Sequence, residues 1–485
     1  MVLKIAHATL TSILPSKYYT HAVLVIVAII TIHAYAQGRK TNRERDLHGR
    51  SIIVTGAFTP IGLTLLDSLA RRGAHLIALS PDPVDLSEGA PATSAALLVP
   101  VLRSTTNNEN IYAEHCDLTS PASIRAFCAH FVQGEQQRLD AILFAHEYAH
   151  IGPMLPTKPT RDVVKERRDA SCATFLLTTL LLPVLLVAPV ERDIRLVTLI
   201  NPFYAAAAAT FSALPTPGTA STSTYPQSAL FLTEGRRALR TAIMTRHLQR
   251  VLDALPASAQ VPRANSDAST VPVVSDKVQR SNIVTVSVSP GVSRSDIIAP
   301  LLGADTPRQG VSISGIILYF LATPILRMLT KSSASAAQGV LHTLFLPTPF
   351  KRLATSSTPG ATAQFLDPEE VLKPGALYAE CAVTRLHVPL PPAPPENDSE
   401  SDASSQTSNA AGASDNPGTM RQTVDDGELG GEVLGTLVWD EYERELKAWE
   451  ALEIEEQRRA KQGDQKRGGL EDGRHTPPTV DETSG

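Results

Sequence analysis

Residues Ser51 to Leu79 read SIIVTGAFTPIGLTLLDSLARRGAHLIAL. Ile52, Ile53 and Val54 form a β-branched run, Thr55-Gly56 supplies a turn, and Ile61, Leu63, Leu65, Leu66 and Leu69 then recur at helical spacing. After Gly73 a second apolar run, His75 to Leu79, completes a strand, turn, helix and strand. That order is a βαβ unit, whose first turn sets backbone N–H groups and a helix N-terminus where a pyrophosphate can sit. The stretch predicts a dinucleotide-binding sheet.

The turn itself, Thr55-Gly56-Ala57-Phe58-Thr59-Pro60-Ile61-Gly62, resembles the T-G-x-x-x-G-x-G loop of the short-chain dehydrogenase/reductase superfamily. It is especially similar to the T-G-A-N-T-G-I-G form of retinol-dehydrogenase-like members. Pro60 stands at the middle glycine. Proline suits the first turn of a helix, where its missing N–H was unpaired anyway, but it removes a donor that could face a phosphate.

Further segments carry the resemblance. Ile111 to Phe131 is similar to the third strand, its Asp-Leu pair and the following helix, with Ser120 or Ser123 as cap and Ile124, Phe127 and Phe131 facing inward. Leu139 to Glu147 matches the fourth strand, and Phe144-Ala145-His146-Glu147 replaces its N-N-A-G turn. Ala173 to Val190 looks like the buried central helix. Asn282 to Asp296 reads as an alternating strand ending in Pro290-Gly291, and Lys331 to Cys381 holds the closing helix and Gly-x-Tyr strand.

The resemblance spans about residues 47 to 388, with Pro-, Ser- and Thr-rich insertions at 206–228 and 256–281. It implies a Rossmann-type doubly wound parallel sheet and a nicotinamide cofactor, NADP(H) or NAD(H), unless that cofactor has been lost. The cofactor contacts it implies are Thr55, Gly56, Thr59, Ile61 and Gly62 at the first turn and Asp117 at the adenine. Pro290, Gly291 and Ser295 follow, the last where the family has a threonine near the nicotinamide amide. Asp82 falls just past the second strand with no arginine beside it, and the basic body favours NADP(H).

In this superfamily a tyrosine acts as general acid or base, a lysine four residues later lowers its pKa, and a serine orients the substrate oxygen. Here the serine position is Asn201, the tyrosine position Glu234 and the lysine position Ala238, and Ala170 stands at the asparagine of the central helix. No lysine lies between Lys165 and Lys277, and Tyr204 and Tyr225 are followed four residues later by Ala208 and Ala229. Losing acid and activator removes two or more factors of roughly 10² to 10⁴ in rate. The remaining catalytic candidates are Asn201, whose amide can donate to an oxygen, and His146 and Glu147, facing the cleft, as replacement acid/base groups. Arg236, Arg237 and Arg240 read as a solvated basic helix face, or else as positive charge for a ribose or phosphate. The chain is thus expected to be a pseudoenzyme or scaffold. The alternative is an oxidoreductase acting on a lipophilic alcohol or ketone through unconventional residues.

The flanks differ from this body. Beyond an N-terminal segment, 1–19, residues Thr20 to Ala36 (THAVLVIVAIITIHAYA) hold no Asp, Glu, Lys or Arg, and tyrosines sit near both ends. About 20 apolar residues cross a bilayer, so this reads as an uncleaved transmembrane anchor at the short end of the range, the alternative being a targeting peptide that is removed. Arg39, Lys40, Arg43 and Arg45 follow it, which places the body in the cytosol. Family analogy points to the endoplasmic reticulum. A second apolar stretch, Gly315 to Leu329, reads as a lid over a lipophilic ligand, touching the membrane, or as a core helix.

From Pro389 onward the chain carries a net charge of −13, leaving +8 for the rest of its 485 residues. A basic body suits an anionic cofactor or a membrane surface, and the acidic tail argues against nucleic acid. Residues 389–433 have the composition of a disordered linker and 461–485 of a disordered tail. Between them, 434–460 places Val438, Trp439, Tyr442, Leu446, Trp449 and Leu452 at helical spacing, an amphipathic helix that docks on its own body or on a protein partner. The four cysteines are widely spaced, which predicts reduced thiols and no metal site.

Overall fold

A computed structural model describes residues 19–83, 93–134, 138–149, 163–189, 192–211, 230–254, 282–304, 313–348, 371–389 and 427–471. Eight strands form one sheet: β1 (Ser51–Thr55), β2 (His75–Ser80), β3 (Ile111–His115), β4 (Ala141–Phe144), β5 (Ile194–Leu199), β6 (Ile283–Ser289), β7 (Leu377–Ala379) and β8 (Ala382–Thr384). Their order is β3-β2-β1-β4-β5-β6-β7-β8. All neighbours are parallel except β7 and β8. Ile52 lies opposite Leu76 on one side and Ala141 on the other, so β1 and β4 flank the point where the winding reverses and a crevice opens. This is the doubly wound sheet that Ser51 to Leu79 predicts.

The helices are α1 (Tyr19–Gln37), α2 (Pro60–Ala70), α3 (Ser94–Thr106), α4 (Pro121–Gln133), α5 (Val163–Val187), α6 (Leu230–Ala254), α7 (Ile313–Leu329), α8 (Ser333–Phe345) and α9 (Gly431–Glu471), besides shorter turns. On one face of the sheet Ile52 and Val54 pack with Leu65 of α2 and Val340 of α8; on the other Ile53 packs with Ile124 of α4 and Leu176 of α5. Central strands covered on both faces are apolar throughout. The alternation in β6 therefore does not mark a wet face. All seven of its residues are buried, and Thr285 donates to the Thr245 carbonyl at 2.9 Å while its N–H is taken by Gln249 Oε1 at 2.7 Å.

Local signals explain the turns that matter. Thr59 caps α2, accepting from the Gly62 N–H at 3.1 Å and donating to the Gly56 carbonyl at 2.8 Å, and Pro60 takes the first helical position. A Cβ on Gly62 would lie 2.2 Å from the Gly56 oxygen, so no other residue fits that approach. Ser120, rather than Ser123, caps α4. Helix α5 is apolar enough for a membrane, but 61% of its apolar window is buried inside the protein, as expected of the central helix.

Helix α9 begins near the expected place and runs beyond Ala460 to Glu471. The sequence left its docking partner open, and here it lies on its own body. Leu434, Val438, Tyr442 and Trp449 are buried against α5 and α6, and the Tyr442 ring stacks on Phe175 with centroids 5.4 Å apart. Glu453 accepts the Ala122 N–H at 3.0 Å, in the first turn of α4. All four cysteines are free thiols. The expected insertions beyond Phe211 and Ala254, most of the linker and the end of the tail lie outside the described residues.

Candidate functional site

The crevice past β1 and β4 is lined by the Gly56 turn, a one-turn helix His146–Ala149 after β4, and the loop after β6. Gly56 has φ +62°, and a Cβ on it would lie 2.8 Å from the His146 Cα, so turn and helix are pressed together. His146 Nδ1 meets Thr55 Oγ1 at 2.7 Å and Nε2 meets the Ala170 carbonyl at 2.9 Å. This pairing assigns the proton to Nε2, with Nδ1 accepting from Thr55. Burial lowers the His146 pKa, the nearby Glu147 only partly opposing it.

Asp296 decides the state of the α2 N-terminus. It lies on a π-helical turn, Arg294–Ile298, capped by Ser293. Its Oδ1 accepts the Ile61 N–H at 2.8 Å, and its Oδ2 accepts from Ser293 Oγ at 2.6 Å and Ser295 Oγ at 3.0 Å. A carboxyl group of the chain thus occupies the donor that a pyrophosphate would approach at a helix start. Ser295 also pairs with Ser333 at 2.7 Å.

The Pro290-Gly291 loop is equally engaged. Tyr148 donates its hydroxyl to the Gly291 carbonyl at 2.7 Å and accepts the Ser293 N–H at 3.2 Å. Lys331 Nζ donates to the Pro290 carbonyl at 2.9 Å and pairs with Glu380. A phenol and an ammonium therefore converge on this loop from positions 148 and 331, outside the 165 to 277 window where a dyad would be sought. Each has its own partners: the Tyr148 hydroxyl is held by Gly291 and Ser293, and Lys331 Nζ by Pro290 and Glu380. Tyr148 is fully buried, and burial, reinforced by Asp296, raises its pKa well above 10, opposite to what a general acid near neutrality needs.

The positions aligned with the catalytic residues hold the structure together. Asn201 donates to the Glu234 carbonyl at 3.1 Å and accepts the Phe203 N–H at 3.1 Å. Glu234 pairs with Arg167 at 2.6 Å and Arg237 at 3.2 Å. Glu147 accepts from Arg237 at 3.2 Å, Thr241 at 2.9 Å and Ser171 at 3.3 Å, and also from Thr174. Ala238 is buried and offers no charge.

The expected solvated arginine face is corrected in part. Arg237 is inside this network, and Arg240 pairs with Glu445 at 2.8 Å and lies 4.5 Å over the Tyr442 ring. The cause is α9, which covers this side of α6 so that charges removed from water require partners. Burial pulls the Arg237 pKa down, but Glu234 and Glu147 hold it above its ordinary value.

Asp117, two residues past β3, spends its carboxyl on its own turn, accepting from the Thr119 N–H at 2.9 Å and hydroxyl at 2.8 Å. Asp82 turns back on Ser80 through its N–H at 3.2 Å. Of the groups expected to hold a dinucleotide, the Ile61 N–H is taken by Asp296, Ser295 by Asp296 and Ser333, and Asp117 by its own turn. The Asp296 carboxylate at the Ile61 N–H stands against a phosphate at that one donor. Asp296 and Tyr148 were missed because nothing in their sequence neighbourhoods shows what each one reaches.

Sheet order and turn define a Rossmann-type α/β protein. No family model matches the chain. It is 26% identical over 343 residues to an uncharacterized oxidoreductase of Schizosaccharomyces pombe, covering 68% of this chain and 78% of that one. A second uncharacterized oxidoreductase, from Saccharomyces cerevisiae, is 26% identical over 349 residues, 66% of this chain and 74% of that one. Human retinol dehydrogenase 13 is 31% identical over 174 residues, 36% of this chain and 48% of that protein. Among solved structures, an NADPH-bound short-chain oxidoreductase from Pseudomonas aeruginosa PAO1 containing an atypical catalytic center aligns over 61% of this chain and 90% of that one. Its TM-score is 0.37 at 13% identity, too slight a likeness to add to the sheet order. The chain is thus similar to fungal oxidoreductases and, over a shorter stretch, to retinol dehydrogenases of the short-chain dehydrogenase/reductase superfamily.

Proposed function

We propose that the chain is a membrane-anchored, cytosol-facing scaffold that keeps an oxidoreductase architecture without its redox chemistry. One observation carries this reading: the place of the tyrosine is filled by Glu234, buried in an ion network with Arg167 and Arg237. A proton-transfer catalyst needs a titratable group within reach of the substrate. The alternative, an oxidoreductase for a lipophilic alcohol or ketone, would require His146 or Glu147 to leave the partners each now holds.

Anchoring is supported by α1, a 19-residue apolar helix with no buried residue, followed by basic residues. The endoplasmic reticulum is the membrane that family analogy suggests. A protein partner of α9 would meet its outward side, where Val433 and Leu437 are exposed, since Tyr442 and Trp449 face inward.

The test is a titration of the purified full chain in detergent with NADPH and NADH, followed by a turnover assay on hydrophobic carbonyls and alcohols. The expected result is no turnover and no saturable binding tighter than about 1 mM, roughly 4 kcal/mol. Micromolar binding would restore a nucleotide-sensing role, and turnover would end the scaffold reading.

A further inference from the structure

Helix α7 was expected to be a lid or a core helix. A core helix it is not: of its 17 residues only Gly315 is buried. Ile313, Ile317, Phe320, Leu321 and Ile325 are 62 to 80% exposed, and they recur along one side of the helix. No charged residue interrupts α7 before Arg327. A continuous apolar face of this kind marks a contact with another apolar body.

Three observations identify that body as lipid. First, α7 lies in contact with α1, whose apolar residues are exposed along nearly its whole length. Second, the C-terminal ends of the two helices are hydrogen-bonded to one another's neighbourhood. Gln37, the last residue of α1, donates to the Thr330 carbonyl at 3.2 Å and accepts from Ser335 Oγ at 2.6 Å, and two residues on the Arg39 N–H meets Glu380 at 3.2 Å. Wherever α1 leaves a bilayer, the end of α7 is held at that level. Third, exposed Arg39 and Lys40 follow the end of α1 and exposed Arg327 lies in the last turn of α7, charges of the sign that anionic phospholipid headgroups attract.

The other end of α7 is tied down too. A Cβ on Gly315 would lie 2.1 Å from the Leu302 carbonyl oxygen, so the helix start is pressed onto the body. A helix of this length reaches about 26 Å at 1.5 Å per residue, short of a hydrocarbon core of about 30 Å, and both its ends are fastened to the protein. It cannot cross.

We propose that α7 is a second membrane contact, its apolar face embedded in the cytosol-facing leaflet beside α1. This rests on α1 being an anchor and adds that the body is held against the bilayer at two places instead of hanging from one helix. Such an element sits about 5 to 10 Å into the boundary of headgroups and acyl chains.

Spin labels in the full chain, reconstituted into nanodiscs of phosphatidylcholine with a minority of phosphatidylserine, test this. In a Cys381→Ser background, labels are placed at Phe320→Cys, at Ile26→Cys in α1 and at Lys447→Cys on α9. Collision with oxygen and with a water-soluble nickel chelate then reads depth. The expected result is a shallow membrane depth at 320, a deeper one at 26 and none at 447. A water-exposed label at 320 with a deep one at 26 would overturn the proposal and leave the anchor standing. Water exposure at both would remove the anchor and the proposal together. Spin–spin broadening at 320, shielded from both reagents, would show a second copy on this face and also overturn it. Labels at Ile317→Cys and Leu321→Cys serve if the first variant fails to match the parent in circular dichroism.

Discussion

Asp296 and Ile61 are 235 positions apart, yet the aspartate Oδ1 accepts the isoleucine N–H at 2.8 Å. The first turn of a nucleotide-type helix is thereby closed with an oxygen supplied by the chain itself.

Asp296→Ala leaves that buried N–H without its acceptor. The cost of such a group is about 1 to 3 kcal/mol. Urea denaturation of the two proteins is expected to show a loss in that range, with Asp296→Asn, which keeps one carbonyl oxygen, recovering part of it. Equal stability for Ala and Asn would mean the contact contributes nothing.

Rebuilding the dyad is expected not to rebuild an enzyme. Glu234→Tyr combined with Ala238→Lys removes the carboxylate that Arg167 and Arg237 share and adds an ammonium to a buried position. Breaking a buried pair costs about 3 to 5 kcal/mol. A lower melting temperature and no carbonyl reduction with NADPH are expected.

Tyr442 pins α9 to the body through its stack on Phe175 and its hydroxyl contact with Thr241 at 3.2 Å. Tyr442→Ala is expected to cost about 3 to 5 kcal/mol, as large aromatic truncations do. Tyr442→Phe keeps the ring, and Thr241 still donates to Glu147, so it is expected to cost about 1 kcal/mol or less. Limited proteolysis across α9 reads the difference: rapid cleavage for Ala, parental resistance for Phe.

His146 links stability to pH. Its pKa is lowered by burial from 6.5, so it stays neutral in the folded chain while the unfolded chain takes up a proton as pH falls below that value. Stability from this site is complete above pH 6.5 and declines as pH drops toward the folded pKa. His75 and His247 act in the same direction, so the informative comparison is with His146→Asn. That variant is expected to show a shallower fall in stability on acidification, and an unchanged slope would assign the effect elsewhere.

Local spacing was enough to read the sheet. Strands covered on both faces must be apolar along their length, and the tight approach of α2 to β1 admits only glycine at position 62, so Ile52 to Gly62 shows its role without any partner in view. Proline at the start of a helix is informative for the same reason, because only its own backbone is involved. The absence of a lysine from 166 to 276 was equally plain.

What Arg237, Asp296, Tyr148 and Gln37 do could be decided only by folding. An arginine on a helix surface looks solvated until a helix from 200 residues further along covers it, as α9 covers Arg240 through Glu445. A carboxyl, a phenol and an amide each bind whatever donor or acceptor the fold brings within about 3 Å. That distance is set by the packing of segments far apart in the chain, and no periodicity along the chain records it.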